Sequence, residues 1–246
     1  MPDYTIIDNT CDLTNSQPKI SVLYVDDESN LLELGKLFLE DTGEFLVDIL
    51  NSAEEALSSS NLRFYDAIIS DYQMPDMDGI EFLKEVRKQI GDTPFIIFTG
   101  KGREDVVIEA INNGADFYLQ KGGEARSQYA ELSHKIKQAV GKKRAERSLR
   151  DSKKQLSDII EFLPDATFAI DKSGLVIAWN RAIEEMTGIS SAQIIGKGNY
   201  EYALPFYGHR RPLLLDLIQN PDNTITSYYS NINRIGNAIT AEAVLS

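Results

Sequence analysis

The sequence predicts an α/β fold, namely a flavodoxin-like doubly wound sheet of five parallel strands, followed by a helical linker and a smaller α+β region. Two observations support this prediction. Five apolar runs alternate with helix-length amphipathic segments from Ile20 onward, as strands joined by helical crossovers do. The runs are nearly continuous in apolar residues, which is typical of strands that are buried on both faces.

Each of the five strand candidates is followed by a polar residue. They are Ile20–Val25, Leu46–Leu50, Ala67–Ser70, Phe95–Phe98 and Phe117–Leu119. The helices between them are marked by apolar residues spaced three or four positions apart. This spacing is found in three sets: Leu31, Leu34 and Phe38; Ile80, Leu83, Val86 and Ile90; and Val106, Val107, Ala110 and Ile111.

A single long helix is predicted from about Tyr129 onward, and Pro164 should stop it. Its candidate a and d positions are Lys142, Ala145, Leu149, Ser152, Leu156, Ile159 and Leu163. Because only about half of these positions are strongly apolar, the pattern indicates a linker helix with a weak tendency to form a homodimer.

The residues after Pro164 predict a hairpin, with strands at Thr167–Ile170 and Leu175–Trp179. Short helical segments are predicted at Arg181–Met186 and, interrupted by prolines, at 202–218, and a further strand at 235–245. The predicted organisation has four parts: a flexible leader at 1–18, a first domain at 19–140, a helical linker at 141–160 and a second domain at 161–246.

Composition restricts the classes of function. The net charge is −13, and residues 1–140 hold 12 Lys and Arg against 26 Asp and Glu, which disfavours nucleic acid as a ligand. A basic stretch at 141–154 is better explained as a solvated helix face. No apolar run approaches the roughly eighteen residues of a membrane span, and the N-terminus has no basic signal region. We therefore expect a cytoplasmic protein without membrane contact.

Polar residues that could perform chemistry follow four of the predicted strands. Asp26 and Asp27 follow the first strand, Asp71 the third, Thr99 the fourth and Lys121 the fifth. Because parallel strands present their carboxyl ends at one edge of the sheet, these side chains should converge. Clustered carboxylates repel one another unless a cation offsets their charge, and oxygen ligands suit Mg²⁺. The pattern predicts a carboxylate nucleophile beside Mg²⁺, with the lysine and threonine holding phosphoryl oxygens.

Four segments carry a family resemblance: VLYVDDE at 22–28, SDYQMPDMDG at 70–79, IFTG at 97–100 and GADFYLQK at 114–121. Together they resemble the receiver domains of two-component response regulators. The resemblance implies that Asp71 is the phosphoacceptor, taking phosphate from a histidine on a partner sensor histidine kinase or phosphotransfer protein. It also implies that Asp27, Asp71 and the backbone carbonyl of Gln73 ligate Mg²⁺, with Asp26 nearby through water.

The same resemblance assigns three further residues. Thr99 would turn toward the aspartyl phosphate, Tyr118 would be the aromatic residue that follows this movement, and Lys121 would complete the site. In one respect the sequence departs from the family, because receivers usually carry proline directly after this lysine. Here Gly122-Gly123 stands in its place, so the loop should be more mobile.

Five short segments after Leu163 carry a second resemblance: LPDA at 163–166, AID at 169–171, WNRA at 179–182, MTG at 186–188 and IGK at 195–197. They resemble PAS sensor domains. Such domains end in a long antiparallel hairpin, whereas Ser246 falls within the predicted strand before it. The PAS-like region is therefore expected to be incomplete.

These expectations combine into a phosphorelay signalling protein, a response regulator that is a phosphoacceptor and not an enzyme. Two alternatives stay open. The chain could be the N-terminal part of a larger hybrid sensor histidine kinase. It could also be a Mg²⁺-dependent phosphohydrolase with an aspartate nucleophile, although haloacid-dehalogenase-like enzymes place that residue in Asp-x-Asp after the first strand. Here the first strand is followed by Asp26-Asp27-Glu28.

Overall fold

A computed structural model describes residues 18–100, 104–216, 229–236 and 238–242. These residues form two compact units, one ending at Arg147 and the other beginning at Ser148. The predicted leader at 1–18 lies outside the described residues except for Pro18. Within the described ranges, no helix is both long and apolar enough to cross a membrane.

The first unit is built on a parallel sheet of five strands in the order β2-β1-β3-β4-β5. The strands are β1 (Ile20–Val25), β2 (Phe45–Leu50), β3 (Ala67–Ser70), β4 (Phe95–Thr99) and β5 (Phe117–Gln120). In the register of the central strands, Val22 of β1 lies beside Val47 of β2 and Ala67 of β3. The doubly wound fold predicted from the apolar runs is confirmed.

Five helices connect and follow these strands: α1 (Ser29–Asp41), α2 (Ala53–Ser58), α3 (Gly79–Ile90), α4 (Glu104–Asn112) and α5 (Ala125–Phe162). Apolar spacing did not reveal α2, because six residues are too few to establish a helical period. A different signal marks its start. The Ser52 hydroxyl accepts a hydrogen bond from the Glu55 N–H at 3.2 Å, in the Ser-x-x-Glu pattern that begins many helices.

Both faces of the sheet are covered, and β1 shows how. Its successive side chains point to opposite faces, so that Leu23 and Val25 join one apolar cluster while Val22 and Tyr24 join the other. All four are fully buried. The second cluster includes four residues of α5, namely Tyr129, Leu132, Ile136 and Val140. A sheet packed on both faces holds the ends of its strands in fixed positions.

The long helix predicted around Tyr129 is confirmed as α5, which runs without a break from Ala125 to Phe162 and ends before Pro164. Its middle part is also attached to the amino edge of the sheet, where acidic residues precede β2, β3 and β4. Three ion pairs join them: Lys137 with Glu44, Arg144 with Asp66 and Lys143 with Asp92. Part of the basic stretch at 141–154 is therefore used within the first unit. Surface pairs of this kind contribute about 0–1 kcal/mol each.

In the second unit, β6 (Phe168–Ile170) and β7 (Val176–Trp179) pair antiparallel, which confirms the predicted hairpin. In the described residues that follow, the helices are α6 (Arg181–Thr187), α7 (Ser191–Ile194) and α8 (Leu204–Tyr207). A second antiparallel pair consists of β8 (Ser230–Ile235) and β9 (Ala238–Glu242).

Two predictions for the second unit need correction. The helical segments predicted at 202–218 are shorter than expected: α8 ends at Tyr207, because Gly208 adopts a left-handed conformation with φ 70°. The single strand predicted at 235–245 is instead part of two strands, since Gly236 turns the chain between β8 and β9 with φ 59°. Residues 217–218 and 243–245 of these predictions lie outside the described residues.

Asn180 fixes the chain that follows α5 onto the second unit. Its side chain is fully buried and makes four hydrogen bonds to backbone groups. The amide oxygen accepts from the N–H groups of Thr167 and Ile183 at 2.9 and 3.1 Å, and the amide nitrogen donates to the carbonyls of Leu163 and Asp165 at 3.1 and 2.9 Å. All donors and acceptors of this buried amide are used, as burial requires.

Candidate functional site

The carboxyl ends of the strands surround a cavity of about 580 Å³ in the first unit. The order of the sheet places β3 and β1 side by side at its centre, where the chain reverses its direction of winding. Ligands of open α/β sheets bind at such a point. The cavity is lined by Asp27, Glu28, Leu31, Asp71, Gln73, Thr99, Gly100, Lys121 and Gln128.

The ammonium group of Lys121 bridges two buried carboxylates. Its Nζ lies 2.7 Å from Oδ1 of Asp71 and 2.5 Å from Oδ2 of Asp26, and the lysine side chain is only 12% exposed. Burial acts to lower the pKa of Lys121, but the two carboxylates outweigh it and raise the pKa above its usual value. Lys121 therefore stays charged and offsets the repulsion between Asp26 and Asp71.

Asp71 directly follows β3 and is nearly buried, with 6% of its surface exposed. Its second oxygen, Oδ2, accepts a hydrogen bond from the backbone N–H of Gln73 at 2.6 Å. Burial raises the pKa of the Asp71 carboxyl and the charge of Asp26 adds to this, whereas Lys121 and the Gln73 N–H oppose it. Positive charge at this cavity would favour the carboxylate form.

The two acidic residues after β1 have different surroundings. Asp26 is fully buried, and its carboxylate accepts from the Glu28 N–H at 3.0 Å and from the Tyr24 hydroxyl at 3.4 Å, besides Lys121. Asp27 is exposed and lines the cavity together with Asp71. The predicted convergence is thus found for Asp27, Asp71, Thr99 and Lys121, which line the cavity. Asp26 does not line it but contacts Lys121.

The donor set of the cavity suits a hard divalent cation. In the part of the chain that the structure describes, no three His, Cys, Asp or Glu side chains are gathered as a metal cluster. The carboxylates of Asp27 and Asp71 nevertheless line one cavity, together with that of Glu28, and burial disfavours the charge of Asp71. Mg²⁺ is commonly held by one or two carboxylates together with water. The residues present therefore fit such an ion.

Gly79, the last residue of the SDYQMPDMDG segment, is needed because α3 begins directly against the backbone of Asp71. A Cβ atom on Gly79 would lie 2.2 Å from the Asp71 carbonyl oxygen and 3.0 Å from Cα of Tyr72. The Gly79 N–H donates to the Tyr72 carbonyl at 2.9 Å. Asp78, in contrast, has a structural role, since its carboxylate accepts from two N–H groups in the first turn of α3.

Thr99 and Tyr118 occupy neighbouring strands but different environments. Thr99 is the last residue of β4, is 1% exposed and lines the cavity. Tyr118 on β5 is half-buried and packs against the apolar cluster that contains Leu23 and Val25. The Tyr118 side chain is not among those lining the cavity in this structure.

Gln128 belongs to the cavity although it was not predicted, because reading the ends of strands cannot reveal a residue on a helix. It lies on α5, and its Oε1 accepts a hydrogen bond from the Gly122 N–H at 2.7 Å. Proline at position 122 could not make this bond, since it has no N–H. The described residues contain no cis peptide bond. Higher mobility of the Gly122-Gly123 loop stays a prediction.

Comparison with known proteins agrees with this geometry. The family model for the response regulator receiver domain matches residues 22–132, and the model for the PAS fold matches residues 154–220. The chain therefore contains a response regulator receiver domain followed by a PAS fold.

Individual relatives match the first part of the chain. Response regulator Rre1 of Synechocystis sp. is 36% identical over 104 residues, which are 42% of this chain and 45% of that protein. Transcriptional regulatory protein FixJ of Bradyrhizobium diazoefficiens is 30% identical over 129 residues, which are 52% of this chain and 63% of that protein. A receiver domain structure from Clostridium thermocellum is 33% identical, with a TM-score of 0.46 over 51% of this chain and 98% of that chain. The chain thus spans about half the length of these curated relatives.

Proposed function

We propose that Asp71 accepts a phosphoryl group from a phosphohistidine on a sensor histidine kinase or phosphotransfer protein. The observation that supports this most directly is the contact of the Lys121 ammonium with Asp71 Oδ1 at 2.7 Å, beside a cavity that Thr99 also lines. A nucleophile, a fixed positive charge and a hydroxyl donor thus meet at one opening. Phosphoryl transfer depends mainly on such positioning and electrostatics.

The proposed reaction forms one bond and breaks another. A carboxylate oxygen of Asp71 attacks phosphorus, the bond from phosphorus to the donor imidazole nitrogen breaks, and the imidazole leaves with that electron pair. As the carboxylate loses its negative charge, the Lys121 ammonium is released to contact a phosphoryl oxygen. The Thr99 hydroxyl donates to another. The product is a mixed anhydride on Asp71.

Asp27, Asp71 and the backbone carbonyl of Gln73 would hold Mg²⁺, with Asp26 nearby. When bound, this ion would neutralise charge on the phosphoryl oxygens. Asp26 would act mainly through Lys121, because its buried carboxylate already accepts three hydrogen bonds.

A phosphoacceptor role is favoured over a phosphohydrolase for a structural reason. An enzyme with its nucleophile after the first strand would use Asp26 or Asp27. Asp26 is fully buried and does not line the cavity, and Lys121 contacts it directly. Asp71 is the carboxylate that combines access to the cavity with a neighbouring ammonium. We therefore infer a phosphoacceptor signalling protein and not an enzyme.

We further propose that α5 couples the phosphorylation state of the receiver to the PAS fold. This helix contributes four residues to the receiver core, Tyr129, Leu132, Ile136 and Val140, and it continues as one helix to Phe162. The segment that follows is fixed within the second unit by Asn180. A displacement at the start of α5 would therefore reach the second unit through an unbroken helix.

The proposed function is tested by labelling the full chain with acetyl phosphate. We expect one added phosphate per chain, stable in acid and labile in base, that depends on Mg²⁺. In Asp27→Asn the Mg²⁺ concentration for half-maximal labelling should rise by at least about tenfold, because one charged oxygen ligand is lost. Intact-mass spectrometry measures both effects. Asp41→Asn, at the far end of α1, is the matched control and should titrate like the wild type. Equal titrations for Asp27→Asn and wild type would contradict the cation site.

The exposed apolar residues of α5 support a weak parallel homodimer. Leu149 and Leu156 are 58% and 59% exposed and occupy the a positions of adjacent heptads. Replacing both with Asp should abolish any concentration-dependent increase in the sedimentation mass. The pair Lys154→Gln and Ser157→Asp makes the same change in charge on the opposite face and should sediment like wild type. If all three proteins show one monomeric mass at every concentration, α5 does not mediate self-association.

A further inference from the structure

Gln128 joins the backbone beside the acidic site to the beginning of α5. Its Oε1 accepts from the Gly122 N–H at 2.7 Å, and its side chain also lines the acidic cavity. Gly122 directly follows Lys121, whose ammonium contacts Asp71 and Asp26. The hydrogen bond to Gln128 therefore restrains the peptide group between Lys121 and Gly122.

The backbone around Lys121 is held from two sides. The Lys121 N–H donates to the carbonyl of Thr99 on β4 at 2.7 Å, and the next N–H donates to Gln128. Beyond these bonds the chain has little restraint of its own, since two glycines follow and Gly123 adopts φ 82°. A lysine side chain can adopt several rotamers. The position of its Nζ therefore depends also on the position of the Lys121 backbone.

Gln128 itself lies on a well-anchored part of α5. The next residue, Tyr129, is 3% exposed, and its ring stacks on Phe38 at 5.2 Å and meets Phe98 edge-on at 5.9 Å. The Gln128 N–H donates to the Glu124 carbonyl at 3.1 Å in the first turn. The hydrogen bond thus connects a glycine loop to a helix that is packed on the core.

We propose that Gln128 is a positioning residue for phosphoryl transfer: it fixes the Lys121-Gly122 peptide so that the lysine ammonium stays beside Asp71. This inference rests on the proposed role of Asp71 as phosphoacceptor. It also gives α5 a direct contact with the site, since any movement of the Lys121 backbone during phosphorylation must stretch or break a bond to that helix. Gln128 acts through Lys121 and does not itself react.

The test compares labelling of the full chain by acetyl phosphate in three variants. Gln128→Leu keeps the size of the side chain but removes the acceptor, whereas Gln128→Glu keeps an acceptor oxygen. Gln138→Leu is the control, because it makes the same Gln-to-Leu change at an exposed position further along α5. At saturating Mg²⁺ the labelling rate of Gln128→Leu should fall about fivefold, as the loss of one neutral hydrogen bond predicts. Gln128→Glu should recover most of the rate, and Gln138→Leu should label like wild type.

The Mg²⁺ concentration for half-maximal labelling separates positioning from general damage to the fold. Gln128→Leu should leave it unchanged, because Gln128 holds no cation. An unchanged rate in Gln128→Leu, an equal loss in Gln128→Glu, or a Mg²⁺ midpoint that shifts together with the rate would each overturn the proposal. Failure of the phosphoacceptor assignment is distinguishable, since wild type would then gain no phosphate or Asp71→Asn would still gain it.

Discussion

Asp71→Asn should reduce the covalent phosphate gained from acetyl phosphate and Mg²⁺ to an undetectable level. The substitution keeps the shape of the side chain but replaces an anionic carboxylate with a neutral amide, which is a far weaker nucleophile toward phosphorus. The change also removes a charge next to Lys121, whose Nζ lies 2.7 Å from Asp71 Oδ1. Intact-mass spectrometry of the wild type and the variant, incubated in parallel, measures the difference.

The fold should survive this substitution. An asparagine has one acceptor oxygen where Asp71 has two, so either Lys121 or the Gln73 N–H loses its partner, at a cost of about 1–3 kcal/mol. Asp76→Asn is the matched control, because Asp76 is exposed on the same loop and its φ of 65° is one that asparagine tolerates. This control should label fully. Retention of the phosphate in Asp71→Asn would show that another residue is the acceptor.

Gly79→Ala should lower the free energy of unfolding of the first unit by about 3 kcal/mol. The new Cβ would lie 2.2 Å from the Asp71 carbonyl oxygen, a backbone atom that can move only with β3 or α3. Overpacking of this kind typically costs about 1–3 kcal/mol, and here the displaced atom belongs to the proposed nucleophile. Labelling by acetyl phosphate should therefore slow as well.

Denaturant unfolding followed by circular dichroism measures the stability change. The chain's one tryptophan, Trp179, lies in the second unit, so its fluorescence reports that unit separately and should change little. The control is Gly141→Ala within α5, where a Cβ meets nothing within 4 Å. It should raise stability by about 0.5–1 kcal/mol, because alanine restricts the unfolded chain and favours helix. Equal stabilities for Gly79→Ala and wild type would mean that the helix start relaxes freely away from Asp71.

Much of the candidate site could be predicted because its residues follow strands. Asp71, Thr99 and Lys121 each follow or end an apolar run of strand length, and parallel strands bring such positions to the same edge of the sheet. Asp27 was found in the same way. The sequence could not show which of the adjacent residues Asp26 and Asp27 lines the cavity and which is buried. The difference arises in the tertiary structure, where Lys121 and the Tyr24 hydroxyl contact the buried Asp26 carboxylate while Asp27 lines the cavity.

The PAS fold was less predictable in detail than the receiver. Its hairpin at β6 and β7 was found because a turn separates two apolar runs of strand length. The extent of the helix near Tyr202 was not, because the left-handed Gly208 ends it earlier than the apolar pattern suggests. Likewise Gly236 divides a run that reads as one strand into a hairpin. Single glycines decided both boundaries, and their conformation depends on the surrounding chain.

By itself, the sequence determined the alternation of strands and helices, the set of polar residues at the strand ends, and the long helix that ends before Pro164. These depend on local periodicity and on the geometry common to parallel sheets. Only the tertiary structure decided that Lys121 bridges Asp26 and Asp71, that α3 begins against the Asp71 backbone at Gly79, and that Gln128 holds the loop after the lysine. The Lys121 bridge joins residues that are 95 and 50 positions apart in the chain. The other two contacts are closer in sequence, but their geometry depends on how α3 and α5 pack on the sheet, which no local pattern shows.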